Sequence, residues 1–484
     1  MITFRIFLTL FLLLILVGQL PANEGLRHIT VEGKICCLEE GIAGVLVTDG
    51  EFSTLTDSSG KYHLLSDSDK TFVYYTLPSG YESPVKNGLP IFYKRINNEK
   101  TDLFVRNFEI IKSEKNQEKH VFIVWADPQV IEEAELDLFK DVVSDVKESI
   151  AGLDPSNSIH GISCGDMVFD RLNLFDPYIA VMAETGIPFY HVIGNHDMDY
   201  SNITNETSSL TYQEKFGPSY YSFNKGKIHY ITLNDVFYYG YSYHYMGYLD
   251  QKQIDWLKAD LKLVPKGTTV IVSLHIPTKY AESKKKPGLL ELQKNAMVNA
   301  EVLYDLLSDY EVHIMAGHSH EHWNTIISDT IMEHTHSAAC AAWWQGEIGI
   351  DGTPRGYTVY EVDGNKLTWY FKGVNKSKEE QFTLHPDGSD EEYPDCFIAN
   401  VYNYDPLWKV LWLENGVVKG EMEQYWGEDP AAKVLYKPGK NSKYSWLATG
   451  QTHHLFKAER TQKEDHISVQ VVDRFGNVYT QELK

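Results

Sequence analysis

Ten carboxylate, carboxamide and imidazole residues fall into five short clusters, each directly after an apolar run: Asp127-Pro-Gln129, Gly165-Asp166-Met-Val-Phe-Asp170, Gly194-Asn195-His196-Asp197, His275, and Gly317-His318-Ser-His320. Carboxylate, carboxamide and imidazole are the side chains that hold hard and borderline divalent cations. Each motif alone has a bland reading: Asn-His-Asp is usually a turn, and His-x-His is usually surface. Their order changes that reading. If the apolar runs are parallel strands, a ligand site lies outside the strands' carboxyl ends. Asp127, Gln129, Asp166, Asn195, His275, His318 and His320 then converge on one crevice. Glycines precede three of the clusters, where the backbone must turn sharply and approach a ligand closely.

The elements that must position these clusters alternate between strand and helix from about residue 118 to 328. Val121 to Ala126, Ile159 to Cys164, Pro188 to Ile193, Thr269 to Leu274 and Val312 to Ala316 read as strands, and Tyr220–Phe223 with Ile228–Leu233 as a hairpin. Helical periodicity covers Glu132 to Ile150, Asp176 to Glu184, Asp250 to Val264 and Lys294 to Leu307. Such alternation predicts an α/β core with a largely parallel sheet and helices on both faces. Residues 28–112 read instead as short strands with Gly, Asp and Ser turns, an antiparallel β-sandwich. A charged stretch from Lys112 to Lys119 is expected to be a linker. Residues 335–484 are again strand-like and rich in Trp and Tyr. Residues 1–22 carry Arg5, an apolar run from Ile6 and a small-residue end at Ala22, the pattern of a signal peptide. The expectation is therefore export to the periplasm or outside the cell, with no lipid-anchoring Cys and no membrane span.

Composition narrows the partners. There are 44 Lys and Arg against 67 Asp and Glu, a formal charge of −23, which disfavours nucleic acid and anionic membrane. With 43% hydrophobic and 23% charged residues the chain is globular in composition. Five cysteines without CxxC spacing are too few for a disulfide scaffold in 484 residues.

Taken together, Asp127-x-Gln129, Gly165-Asp166, Gly194-Asn195-His196-Asp197, His275 and Gly317-His318-x-His320 resemble the motifs of the calcineurin-like metallophosphoesterase family. The flanks resemble the N- and C-terminal domains of a secreted bacterial subgroup, and residues 28–112 a transthyretin-like sandwich. The resemblance implies a βαβ sandwich core with two divalent ions (Mn, Fe, Mg or Zn) bridged by an aspartate. One ion would take Asp127, Gln129, Asp166 and His320; the other would take Asp166, Asn195, His275 and His318. Family members often have His where this chain has Gln129; a subset carries Asp-Pro-Gln. His196 would be the catalytic histidine outside the metal shell, oriented by Asp197 or Asp170. Arg171 and His322 are candidate substrate contacts, and Cys340 to Trp344 a candidate substrate wall. The implied function is an exported dimetal phosphohydrolase. It would cleave a phosphorylated small molecule or glycan, mono- or diester, by metal-activated hydroxide attack with His196 as general acid. The alternative is a non-catalytic surface glycan-binding protein with a vestigial metal site.

Overall fold

The computed structural model describes residues 26–97, 101–279, 288–437, 443–462 and 466–483. The segment read as a signal peptide lies outside the described residues. No helix among the described residues is long and apolar enough to cross a membrane.

The core is built on strand β1 (Asn116–Trp125), whose Val121-Phe-Ile-Val-Trp run is buried on both sides. Helix α1 (Glu133–Ala151) follows, then β2 (Asn157–Ser163), α2 (Phe175–Ala183) and β3 (Phe189–His191). Strands β1, β2 and β3 pair in parallel. A second sheet starts with the hairpin β4 (Tyr221–Lys225) and β5 (Ile228–Thr232). It continues through α3 (Gln251–Leu261), β6 (Thr269–Ser273), α4 (Ala300–Leu307) and β7 (Glu311–Ala316), and ends with β8 (Trp323–Ile326) and β9 (Ile331–Thr335).

Strand–helix alternation alone reads as a largely parallel sheet; the core is instead two mixed sheets, the sandwich that the resemblance implies. The first runs β3-β2-β1-β10-β11, with β10 (Gly356–Asp363) and β11 (Lys366–Gly373) antiparallel to their neighbours; the second runs β4-β5-β6-β7-β9-β8. The sheets pack face to face. Phe122, Val124, Ile162 and Tyr360 of the first meet Tyr230, Ile271, Met315 and Met332 of the second in one apolar cluster. Alternate residues point outward: Ile123 and Trp125 pack on Phe139, Val142 and Tyr178 of α1 and α2. On the second sheet, Val270, Val272 and Ile314 pack on Trp256, Leu257 and Leu303 of α3 and α4. Period-two alternation has no polar face when both faces are covered, so the sequence pattern does not separate one sheet from two.

The expected helix from Lys294 to Leu307 is broken. Leu289–Asn295 forms one helix and α4 a second. Ala296 between them is extended, and the amides of Met297 and Val298 donate to Pro277 and Gly247. Asn299 clamps Leu249 through both its amide groups. The charged stretch expected as a linker also differs, because β1 already starts at Asn116. Gln117 is buried there, accepting from Gly80 N and donating to Tyr81 O and Glu82.

On the N-terminal side, short strands between His28 and Glu109 form a five-stranded and a four-stranded sheet. On the C-terminal side, Phe382–His385, Cys396–Val401, Glu423–Glu428 and Gln451–Glu459 pack against a second four-stranded sheet across Phe397, Val401, Val410 and Val469. The hairpin β10–β11, expected in this section, instead pairs with the central strand of the core.

Candidate metal centre

Six of the seven predicted donors sit at strand ends of the two facing sheets. Asp127 and Gln129 follow β1, Asp166 follows β2, His275 follows β6, and His318 with His320 follow β7. Asn195 lies in the turn after β3. Asp127, Gln129, Asp166, His318 and His320 all have positive φ, between 40° and 70°. Non-glycine residues rarely adopt that conformation, which concentrates at functional sites. The three glycines provide close approach. A Cβ on Gly194 would stand 2.1 Å from Asp166 Oδ1, on Gly165 2.5 Å from His275 Nδ1, and on Gly317 2.7 Å from Asp127 Oδ2.

The donors converge. His275 Nε2 lies 3.1 Å from Asn195 Oδ1, 3.3 Å from Asp166 Oδ2 and 3.2 Å from His318 Nδ1. One donor atom from each of Asp166, His275 and His318 falls within 4.8 Å of the others. On the other side, Gln129 Nε2 donates to Asp166 Oδ2 at 2.7 Å, and His320 Nε2 is 3.5 Å from Asp127 Oδ1. His275 donates from Nδ1 to the Cys164 carbonyl (2.8 Å), which fixes its tautomer and leaves Nε2 for the site.

Electrostatics mark an unmet need for cations. Burial pushes the Asp127 carboxyl up to about 8, with Asp166 adding to the effect against His275. Burial acts on Asp166 too, but His275 and His196 outweigh it and hold that carboxyl below the usual range. Burial opposes charging of His275, yet the two carboxylates raise it to about 10. Burial lowers His318 to about 3 and His320 to about 4, keeping both imidazoles neutral, as ligands must be. Asp127 Oδ1 and Gln129 Oε1 are buried and accept no hydrogen bond among the described residues. Two carboxylates, two amides and three imidazoles with oxygens left unanswered fit divalent ions bound by O and N donors.

His196 stands at the open edge of this centre. Its side chain is 23% exposed while Asp127, Asp166 and His275 are almost fully covered. The ring stacks on Phe169 at 4.1 Å, and Nδ1 donates to Asp170 Oδ1 at 2.9 Å. Between the two carboxylates proposed to orient it, the contact is Asp170. Asp197 is fully buried, and its oxygens accept from the amides of Gly194 and Val168. It therefore fixes the turn and has no contact with the imidazole.

Arg171 is exposed, next to Asp170. His322 does not face a substrate space. It is 3% exposed, its amide donates to Asp351 Oδ2, and its ring meets Phe371 edge-on at 4.8 Å. The second His-x-His is structural as well: His334 bonds Asn324 and His313, and His336 bonds the Ala316 carbonyl and Tyr360. Of the run Cys340 to Trp344, Trp343 stacks on His320 at 4.3 Å.

Several site residues carried no motif. Asp235 accepts from the amides of His275 and Ile276 and so fixes the turn that aims His275. Its position just after β5 was a readable signal, another acid at a strand end. Asn295 Oδ1 lies 3.2 Å from His318 Nε2, Tyr245 meets His318 edge-on, and Tyr200 donates to the Asn195 carbonyl. These come from a turn, a short strand and a short helix without a spacing signature.

The donor set is that of a divalent-metal site. Three family models match: Calcineurin-like phosphoesterase over residues 122–322, N terminal of Calcineurin-like phosphoesterase over 29–113, and C terminal of Calcineurin-like phosphoesterase over 333–479. The chain belongs to the calcineurin-like phosphoesterase family. Among solved structures, a dimetal phosphatase from Danio rerio is 16% identical, covering 53% of this chain and 96% of that one with a TM-score of 0.38. A purple acid phosphatase from yellow lupin seeds is 11% identical over 69% of this chain and 68% of that one, at 0.38. A 5'-nucleotidase from Candida albicans is 13% identical over 54% and 52%, at 0.33. No curated protein matches the chain.

Proposed function

We propose that the protein is an exported hydrolase of phosphate mono- or diesters that works with two divalent ions. The observation that carries this reading is the convergence of seven O and N donors beside the Asp170–His196 pair. Asp166 would be shared, with Asp127, Gln129 and His320 on one side and Asn195, His275 and His318 on the other. When bound, the ions supply Lewis-acid polarisation of the phosphoryl group and a water of lowered pKa.

The chain's own residues do the rest. Asp127 and Asp166 bring two negative charges against four positive ones, so the pocket attracts a phosphate although the protein is acidic. Asp170 occupies Nδ1 of His196, so the proton on Nε2 is the one offered to the departing oxygen. Phe169 keeps that ring in plane. Export rests on the apolar N-terminal run.

The test is metal analysis of the purified protein combined with turnover of alkyl and aryl phosphate mono- and diesters with Mn²⁺. Two ions per chain and turnover are expected, and Asp166→Asn should lose at least one ion and the activity. Full turnover by Asp166→Asn with two ions retained would refute the dimetal reading.

A further inference from the structure

The C-terminal section reaches the metal centre through aromatic rings. Trp343, stacked on His320, meets Trp446 at right angles with centroids 4.7 Å apart. Trp446 stacks in turn on Tyr444 at 5.0 Å and is 52% exposed. The loop that carries Trp343 is strained: Ala341, Trp343 and Trp344 all have φ between 50° and 61°. The two tryptophans are held differently. The Trp344 indole donates to Pro128 O and anchors the loop to the Asp127–Gln129 turn, whereas the buried Trp343 indole N–H has no partner among the described residues. What the strain secures is the placement of the Trp343 ring. Lys443 fastens the other arm, donating from its amide to Gln345 and from Nζ to Glu132.

Building on the phosphohydrolase reading, we propose that Trp343 and Trp446 form a subsite for the leaving group. It selects phosphoesters whose alcohol carries an aromatic ring. A corner of perpendicular rings offers both face and edge contacts to such a ring, and stacking on one aromatic side chain typically strengthens binding by about tenfold or more.

The probes are benzylphosphonate and methylphosphonate, which present the same anion with and without a ring, titrated calorimetrically into the Mn²⁺-loaded full-length protein. Wild type should bind benzylphosphonate about tenfold tighter or better; Trp446→Ala should bring the ratio near one, and Trp446→Phe should keep most of it. Trp446 is half exposed, so both variants should fold, as circular dichroism would check. Equal affinities in wild type, no binding of benzylphosphonate, or a preference that survives Trp446→Ala would overturn the subsite. The readout is binding, so a preference abolished by Trp446→Ala upholds the subsite even where no ester is turned over, and only the hydrolase reading then falls.

Discussion

His196 is fixed on two sides, by the Phe169 ring and by Asp170, and stands apart from the seven donors proposed to hold the metals. A proton donor helps only as far as the leaving oxygen needs the proton. His196→Ala should therefore keep its metal and lose about 10²–10⁴-fold on an alkyl phosphate, but far less on a nitrophenyl phosphate. Parallel rate measurements on the two esters check this; equal losses would mean that the imidazole positions phosphate instead. Asp170→Asn should show the same leaving-group pattern with a smaller loss, because it disturbs the orientation of the ring and leaves the proton carrier in place.

At the scale of the element, Gly194 shows how tightly the turn after β3 closes on the end of β2. Its φ of −104° suits any residue, so Gly194→Ala isolates the steric effect. The added methyl would meet both the carboxylate and the backbone amide of Asp166, at 2.1 and 2.3 Å. The expected outcome is lost metal and lost turnover in a folded protein; a variant with full metal occupancy would show that the turn relaxes. A second prediction concerns Asp351, in the loop before β10. Burial works against its carboxylate, but His454 and the amides of Thr353 and His322 outweigh this and hold it at about 2. Its unfolded value is about 3.9, so the depressed native value contributes about 2 kcal/mol that is fully present above pH ~4 and disappears as pH falls through 2. Asp351→Asn should lower Tm at pH 7, with the gap narrowing below pH ~4 in a series of thermal melts. These elements also show what was legible beforehand. Strand runs ending in Gly and a polar cluster could be read one by one, because each signal is local. That β10 would pair with β1, and that amides at 297 and 298 would leave a helical stretch for distant carbonyls, depend on long-range partners, which leave no mark in local spacing.

The N-terminal sandwich supplies none of the proposed metal donors, yet its core is continuous with that of the central domain. Phe92 packs on Tyr221 at 4.6 Å, and the almost fully buried Lys225 pairs with Glu82. Thr76 and Asp260 share Ser222. Removing residues 26–113 should therefore spare the chemistry and cost stability. Uncovering a few large side chains at about 1.5–3 kcal/mol each lowers Tm by about 10 °C or more, while turnover per metal-loaded molecule stays near wild type. Calorimetry and kinetics on the shortened protein separate the two, and an intact Tm would mean that the interface carries little energy. The pairing of β1 with β10 bears on how the molecule is made. The ribosome emits β1 roughly 230 residues before its central neighbour. At about 5–20 residues per second, the nascent chain spends some 10–50 s with an apolar strand edge open. The last candidate donor, His320, is emitted about 36 residues before β10, so for the final ~2–7 s of that interval the donor set is complete while the sheet that aligns Asp127 still lacks one side. Assembly of the centre is thus a late event in biogenesis, and a chaperone that shields unpaired strands would act on this protein before any metal-delivery step does.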